Sequence, residues 1–278
     1  MDPYILADDN DFKKFFGMTF SEIEKYYEYN HFKHETYNKF LAQHFNSIVT
    51  DQNNEKQLFE YYNSMEFCVA QLIWYFKNNL KHYIEKNDFN SRLDELFFGS
   101  RKPISILDYG CGTGEHSLKY LTKGYDVTFV DLPTRLFNFL SGVIGKRFLR
   151  SNFLTVDQFN NLVDKNYYIA EEKEVDLLIC CEVLEHIPEP LEVLNRFFKI
   201  LKPFGFMNLS TFFNHMGGHD TSHLVQNTER YENCQGWHQK VFEVGFNPIA
   251  YNEGGSMKVW QKVCEDKFVI ENFIRTRT

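Results

Sequence analysis

The stretch I-L-D-Y-G-C-G-T-G-E-H, Ile106–His116, decides the fold. Its first half is a short apolar run of strand character. Its second half is a turn with glycines at 110, 112 and 114 that leads into a helical pattern from His116 to Lys123. Glycine tolerates φ > 0 and has no side chain in the way, so such a turn brings backbone N–H groups close to a ligand.

Outward from this turn, strand and helix signals alternate from Ile104 onward. I-S-I-L-D-Y is followed by D-V-T-F-V-D, a helix from Thr134, R-F-L-R-S-N as the third strand and a further helix. V-D-L-L-I-C-C, a helix from Pro190 to Leu201 and F-M-N-L-S-T then complete the series. Repeats of this kind predict a parallel, doubly wound sheet covered on both faces. The end differs: N-P-I-A-Y-N-E, the glycine pair at 254 and 255, and S-M-K-V-W-Q-K-V predict an antiparallel hairpin.

The glycine turn is not the dinucleotide fingerprint G-x-G-x-x-G, because Glu115 stands at its last glycine. Asp108 and Glu115 flank the loop; two carboxylates repel a pyrophosphate and attract a ligand carrying a sulfonium and an ammonium. That favours S-adenosylmethionine over NAD. Asp131, 21 residues after Gly110 at the end of the second strand, can accept both hydroxyls of a ribose. Asn152, read as following the third strand, could meet an adenine edge.

With V-T-F-V-D, C-C-E-V-L-E-H-I-P and F-F-K-I-L-K-P-F-G-F, the run from Ile106 to His116 resembles the class I S-adenosylmethionine-dependent methyltransferases over about residues 100 to 264. The resemblance implies an α/β, Rossmann-like seven-stranded sheet of order 3-2-1-4-5-7-6 with strand 7 antiparallel. It further implies an S-adenosylmethionine-binding domain over 101–278, with Asp108, Gly110, Gly112, Gly114, Asp131, Asn152 and Cys181 as cofactor-side residues.

In such a sheet ligands bind beyond the carboxyl ends of the strands, so E-V-L-E-H, after the fourth strand, faces the transferred methyl group. A helical turn there would put Glu182, Glu185 and His186 on one face. In one reading, Glu185 and His186 shape the pocket, and backbone near Cys181 and Glu182 touches the cofactor. In the other, the motif E-x-x-E-H is similar to the metal-binding motif of small-RNA 2′-O-methyltransferases and of ubiquinone-biosynthesis O-methyltransferases. There a further histidine after the fifth strand completes the site. N-H-M-G-G-H-D-T-S-H-L offers His215, His219 and His223, with G-G-H-D pointing to His219 and His223 close behind. Two carboxylates and two imidazoles suit Mg²⁺, Mn²⁺ or Zn²⁺. Either His186 or His219 as a base, or a metal on Glu182, Glu185, His186, His219 and His223, would activate a hydroxyl.

The first 100 residues read as a helical extension or lid. Thr19 to Glu22 forms a capping-box pattern, a second helix is expected from Glu55 to Glu85, and aromatics at 61–67 and 74–76 would close over a substrate or form the helices' own core. His31, His34, His44 and His82 are read as helix residues without chemistry. The net charge of −8 opposes nucleic acid or an anionic membrane as main partner. No run of 18 apolar residues and no secretory leader is evident, so a cytoplasmic protein is expected. Six cysteines without a C-x-x-C pair read as reduced thiols. The expected activity is O-methylation of a small molecule, such as a sugar or glycan precursor, a phenol or quinone-type ring or a phosphorylated metabolite. Amine or RNA 2′-O acceptors are catalytic alternatives, and a cofactor-binding scaffold subunit is the non-catalytic one. The oligomeric state is not encoded in any feature of the sequence.

Overall fold

A computed structural model of the chain describes residues 7–31, 43–64, 73, 104–171, 173–211, 213, 224–231, 234–251 and 257–263. Its centre is a seven-stranded sheet of order β3-β2-β1-β4-β5-β7-β6. The strands are β1 (Ser105–Tyr109), β2 (Asp126–Asp131), β3 (Ser151–Thr155), β4 (Val175–Cys181), β5 (Leu201–Ser210), β6 (Phe246–Tyr251) and β7 (Met257–Lys262). β1 to β5 pair in parallel, and β7 runs antiparallel to both β5 and β6. The order and the antiparallel last strand are those implied by the sequence.

Helices α1 (Asp9–Phe16), α2 (Phe20–His31) and α3 (Glu55–Ser64) precede the sheet. Within it lie α4 (Leu118–Thr122), α5 (Arg135–Ile144), α6 (Val156–Asp164), α7 (Pro190–Ile200), α8 (Val225–Arg230) and α9 (Cys234–Val244). Successive strand residues point to opposite faces, and the buried side chains divide accordingly. Ile106, Val127, Phe129, Ile179 and Phe206 pack on one face with residues of α1, α4 and α5. Leu107, Tyr109, Val130, Leu178 and Met207 pack on the other with residues of α6, α7 and α9.

Helices α1 and α2 share the first of these cores. Phe12 stacks on Phe139 of α5 at 5.2 Å, with Phe15 edge-on to the same ring at 5.7 Å. Gly142 makes room for this seat, since a Cβ there would collide with the Phe15 ring. The Thr19–Glu22 capping box forms as expected: Glu22 N–H donates to Thr19 Oγ1 at 3.2 Å and Thr19 N–H to Glu22 Oε2 at 2.7 Å. The helix expected from Glu55 starts there and is described to Ser64; Trp74 to Phe76 lie outside the described residues.

The third strand corrects the sequence reading. It is Ser151–Thr155 rather than R-F-L-R-S-N, so Asn152 stands exposed at the strand's second position, paired with Thr128, and not after its end. The misleading apolar signal came from Leu149, which is 100% exposed in the turn before the strand. The carboxyl end of β3 is Thr155, whose hydroxyl caps α6 by accepting from Gln158 N–H.

Candidate active site

β1 and β4 are neighbours whose crossovers leave in opposite directions, and this is the switch point where a doubly wound sheet opens a crevice. At its lip the three loop glycines all have positive φ, 68° at Gly110, 52° at Gly112 and 73° at Gly114, for different reasons. A Cβ on Gly110 would collide with the methyls of Val183, and one on Gly114 would lie 3.0 Å from the Phe129 ring. On Gly112 it would meet nothing within 4 Å. The outer glycines therefore press the loop onto β4 and β2, and the middle one faces open space where a ligand can approach the backbone. Gly110→Ala combines left-handed strain with overpacking, and its expected cost is about 2–4 kcal/mol. A thermal melt of the purified variant within a degree of the wild type would refute this.

Asp131 ties loop to sheet. Its Oδ2 accepts from Gly112 N–H at 2.7 Å and its Oδ1 from Leu132 N–H at 2.7 Å. The Cys111 thiol also reaches Oδ2 at a long 3.8 Å; a carboxylate has about four acceptor positions, so a ribose hydroxyl finds one at Oδ1 and a second at Oδ2 by displacing that weak thiol contact. Asp108, 2% exposed on β1, lies beneath the loop, and Oδ2 completes no hydrogen bond. Burial pushes its carboxyl up to about 7, with Asp131 and Glu115 adding repulsion and the nearby Ser117 hydroxyl offsetting part of the rise. That hydroxyl approaches without completing a bond of normal geometry. Glu115 is likewise pushed up to about 7 by burial, and burial raises Asp131 despite its two backbone partners. Three carboxylates thus surround the loop in a setting that disfavours their charge, and a cationic ligand would relieve it.

The sign of the pH dependence follows. An acid whose pKa is higher folded than unfolded binds more protons when folded, so its contribution to stability is lost as pH rises from about 4 to about 7. Without ligand, the melting temperature is expected to fall between pH 5 and pH 7 and level off above. Saturating S-adenosylmethionine should raise it more at pH 8 than at pH 6. Equal shifts at both values in a fluorescence melt would rule out charge complementarity at the loop.

After β4 the chain departs from the expected helical turn. Glu182 is left-handed at φ 55° and Val183 is neither helical nor extended, at φ −130° and ψ −47°, so a 3₁₀ turn starts only at Leu184 and ends at His186. Glu182 is therefore not on a common face with the other two; its Oε1 accepts from the Ser210 hydroxyl across the β4–β5 register. Glu185 turns inward and is 0% exposed, whereas His186 stays half-buried at the crevice. Cys181, the last residue of β4, has its thiol pushed well up by burial and neighbouring carboxylates, which keeps it neutral and non-nucleophilic. His215, His219 and His223 lie outside the described residues. Among the described residues no three His, Cys, Asp or Glu side chains are grouped to hold a metal ion.

Two features of this region were not foreseen from the sequence. α8 and the residue before it clamp the loop: Leu224 N–H donates to the Glu185 carbonyl at 3.1 Å and Asn227 Nδ2 to the Ile187 carbonyl at 2.6 Å. Arg230 pairs with Glu189 at 3.6 Å. On the other side, Tyr62 of α3 meets the His186 ring at 5.8 Å and 81°. Only the amide side chains in V-Q-N-T-E-R hinted at the clamp, and nothing in the sequence pairs Tyr62 with His186.

The seven-stranded sheet, its order and the glycine turn at the switch point define a Rossmann-like methyltransferase fold. Residues 80–245 match the family described as "Methyltransferase domain", and the chain belongs to that family of S-adenosylmethionine-dependent enzymes. It is 27% identical over 146 residues to "Ubiquinone biosynthesis O-methyltransferase" of Psychrobacter cryohalolentis, covering 52% of this chain and 53% of that protein. The protein of the same name from Haemophilus ducreyi is 33% identical over 109 residues, covering 38% of this chain and 44% of the relative. The chain thus spans about half the length of the curated relatives it matches. An O-methyltransferase family protein from Burkholderia thailandensis shares the fold, with TM-score 0.53, 15% identity, 84% of this chain and 71% of that one covered. No helix among the described residues is long and apolar enough to cross a membrane.

Proposed function

We propose that the chain methylates a hydroxyl group of a small molecule, with His186 as the base that takes the hydroxyl proton. The observation that carries this reading is the position of His186, half-buried at the carboxyl end of β4 beside the crevice, on a turn held by α8 and met by Tyr62 of α3. S-adenosylmethionine supplies an electrophilic methyl carbon on a positively charged sulfur. The residues present suit it: Gly112 offers open backbone, Asp131 can accept from ribose hydroxyls, and Asp108 with Glu115 supplies negative charge near the loop. Backbone beside Cys181 and Glu182 would line the cofactor from β4. Asn152 has no part in this reading, since it lies away from the strand's carboxyl end.

The chemical need for a base is plain, because an alcohol or phenol is a weak nucleophile until its proton leaves. A neutral imidazole can accept that proton as the oxygen–carbon bond forms and the methyl–sulfur bond breaks. The names of the relatives, ubiquinone biosynthesis O-methyltransferases, favour oxygen over nitrogen as the acceptor atom. A divalent cation held by Glu182, Glu185 and His186 with His219 or His223 is the second way to acidify a hydroxyl. The inward Glu185 and the Ser210-bound Glu182 do not favour it.

Titration calorimetry with S-adenosylmethionine and S-adenosylhomocysteine, on protein assayed for bound metal before and after chelation, tests the reading. Binding that survives chelation with no metal released agrees with a histidine base. Stoichiometric metal whose removal abolishes turnover would replace it by the metal route, and absence of cofactor binding would end the methyltransferase proposal.

A further inference from the structure

The structure assigns Tyr62 of α3 the task of holding the His186 imidazole in orientation, with α3 as the wall of the crevice on the acceptor side. The inference builds on the reading of His186 as the base, but its physical content is the contact itself.

The backbone around His186 is fixed by hydrogen bonds. His186 N–H donates to the Val183 carbonyl at 3.0 Å, and the carbonyls of Glu185 and Ile187 accept from Leu224 N–H and Asn227 Nδ2. A fixed backbone leaves the two side-chain torsions of a histidine to be set by what touches the ring. Tyr62 touches the ring, the two planes nearly perpendicular at 81°. Such edge-to-face pairs have a preferred geometry, so the phenol ring acts as a stop against which the imidazole rests.

Tyr62 can act as a stop because it is itself held. Tyr61, 0% exposed, meets Tyr62 edge-on at 5.2 Å and Phe45 at 4.9 Å. These rings form a core with Val49, Leu58 and Leu224. Leu224 therefore joins both supports: its side chain packs with the N-terminal helices and its N–H holds the loop of His186. At the next residue of α3, Asn63 Oδ1 accepts from Arg135 N–H at 3.4 Å, at the start of α5 just beyond Asp131. α3 thus reaches the His186 side of the crevice with Tyr62 and the Asp131 side with Asn63.

The test of the contact uses the full chain and needs no acceptor; only the separate check of the base measures turnover. Carbethoxylation of His186 by diethylpyrocarbonate is followed by peptide mass spectrometry at one fixed pH, in wild type, Tyr62→Phe and Tyr62→Ala. In Y62A the modification rate is expected to rise several-fold, while Y62F restores it and S-adenosylhomocysteine affinity stays unchanged in all three. If Y62A folds poorly, Tyr62→Leu, which fills the volume without a ring, serves instead and should behave like Y62A. His186 reactivity unchanged in Y62A or Y62L, or altered equally in Y62F, would overturn the inference. Turnover unaffected by His186→Gln while Y62A still alters His186 reactivity would refute the base and leave the contact standing.

Discussion

His186→Gln is expected to lower turnover on a hydroxyl acceptor by about 10²–10⁴-fold, the usual contribution of a positioned general base. Glutamine keeps the size and hydrogen-bonding edge of the imidazole but cannot take a proton. The loss should therefore fall on kcat, the acidic limb of the pH–rate profile should disappear, and affinity for S-adenosylhomocysteine should stay as it was. The 3₁₀ turn that carries the residue is held through its backbone carbonyls, so the fold should tolerate the change. A variant that turns over like the wild type would mean that the proton leaves by another route.

Asp131→Ala is expected to weaken cofactor binding by about 10²–10⁴-fold, from the loss of two hydrogen bonds to a charged acceptor at about 1.5–3 kcal/mol each. The same carboxylate also holds Gly112 N–H, so the alanine variant loosens the one glycine that faces open space. Asp131→Asn retains an acceptor oxygen and should fall between the two. Calorimetry with S-adenosylhomocysteine decides the matter: affinity equal to the wild type in D131A would place the ribose elsewhere.

Those two residues illustrate what could be read from the chain alone. Asp131 was legible because strand periodicity ends at a known distance from a glycine turn, and both signals are local. His186 was legible as a residue of interest but not in its setting. The expected helical face failed at Glu182, because a non-glycine residue at φ 55° leaves no trace in composition. The inward turn of Glu185 follows from that same residue. Asn152 was misplaced because Phe148 and Leu149 look like strand residues, although Leu149 is fully exposed and Phe148 packs on the core from the turn before the strand. The Tyr62 contact joins residues far apart in the chain, and no periodicity encodes such a meeting.

The place of β7 between β5 and β6 has a consequence for how the molecule comes into being. β6 pairs with β7, and β5 meets β7 on the side away from β4. While the protein is being synthesised, β1 to β5 can assemble as soon as they leave the ribosome, but β5 then presents a bare edge rich in buried residues such as Phe206 and Leu209. That edge waits for a strand made about fifty residues later in translation. Nascent chains stalled before Met257 should therefore be the aggregation-prone species, and a chaperone that shields strand edges would find its client there.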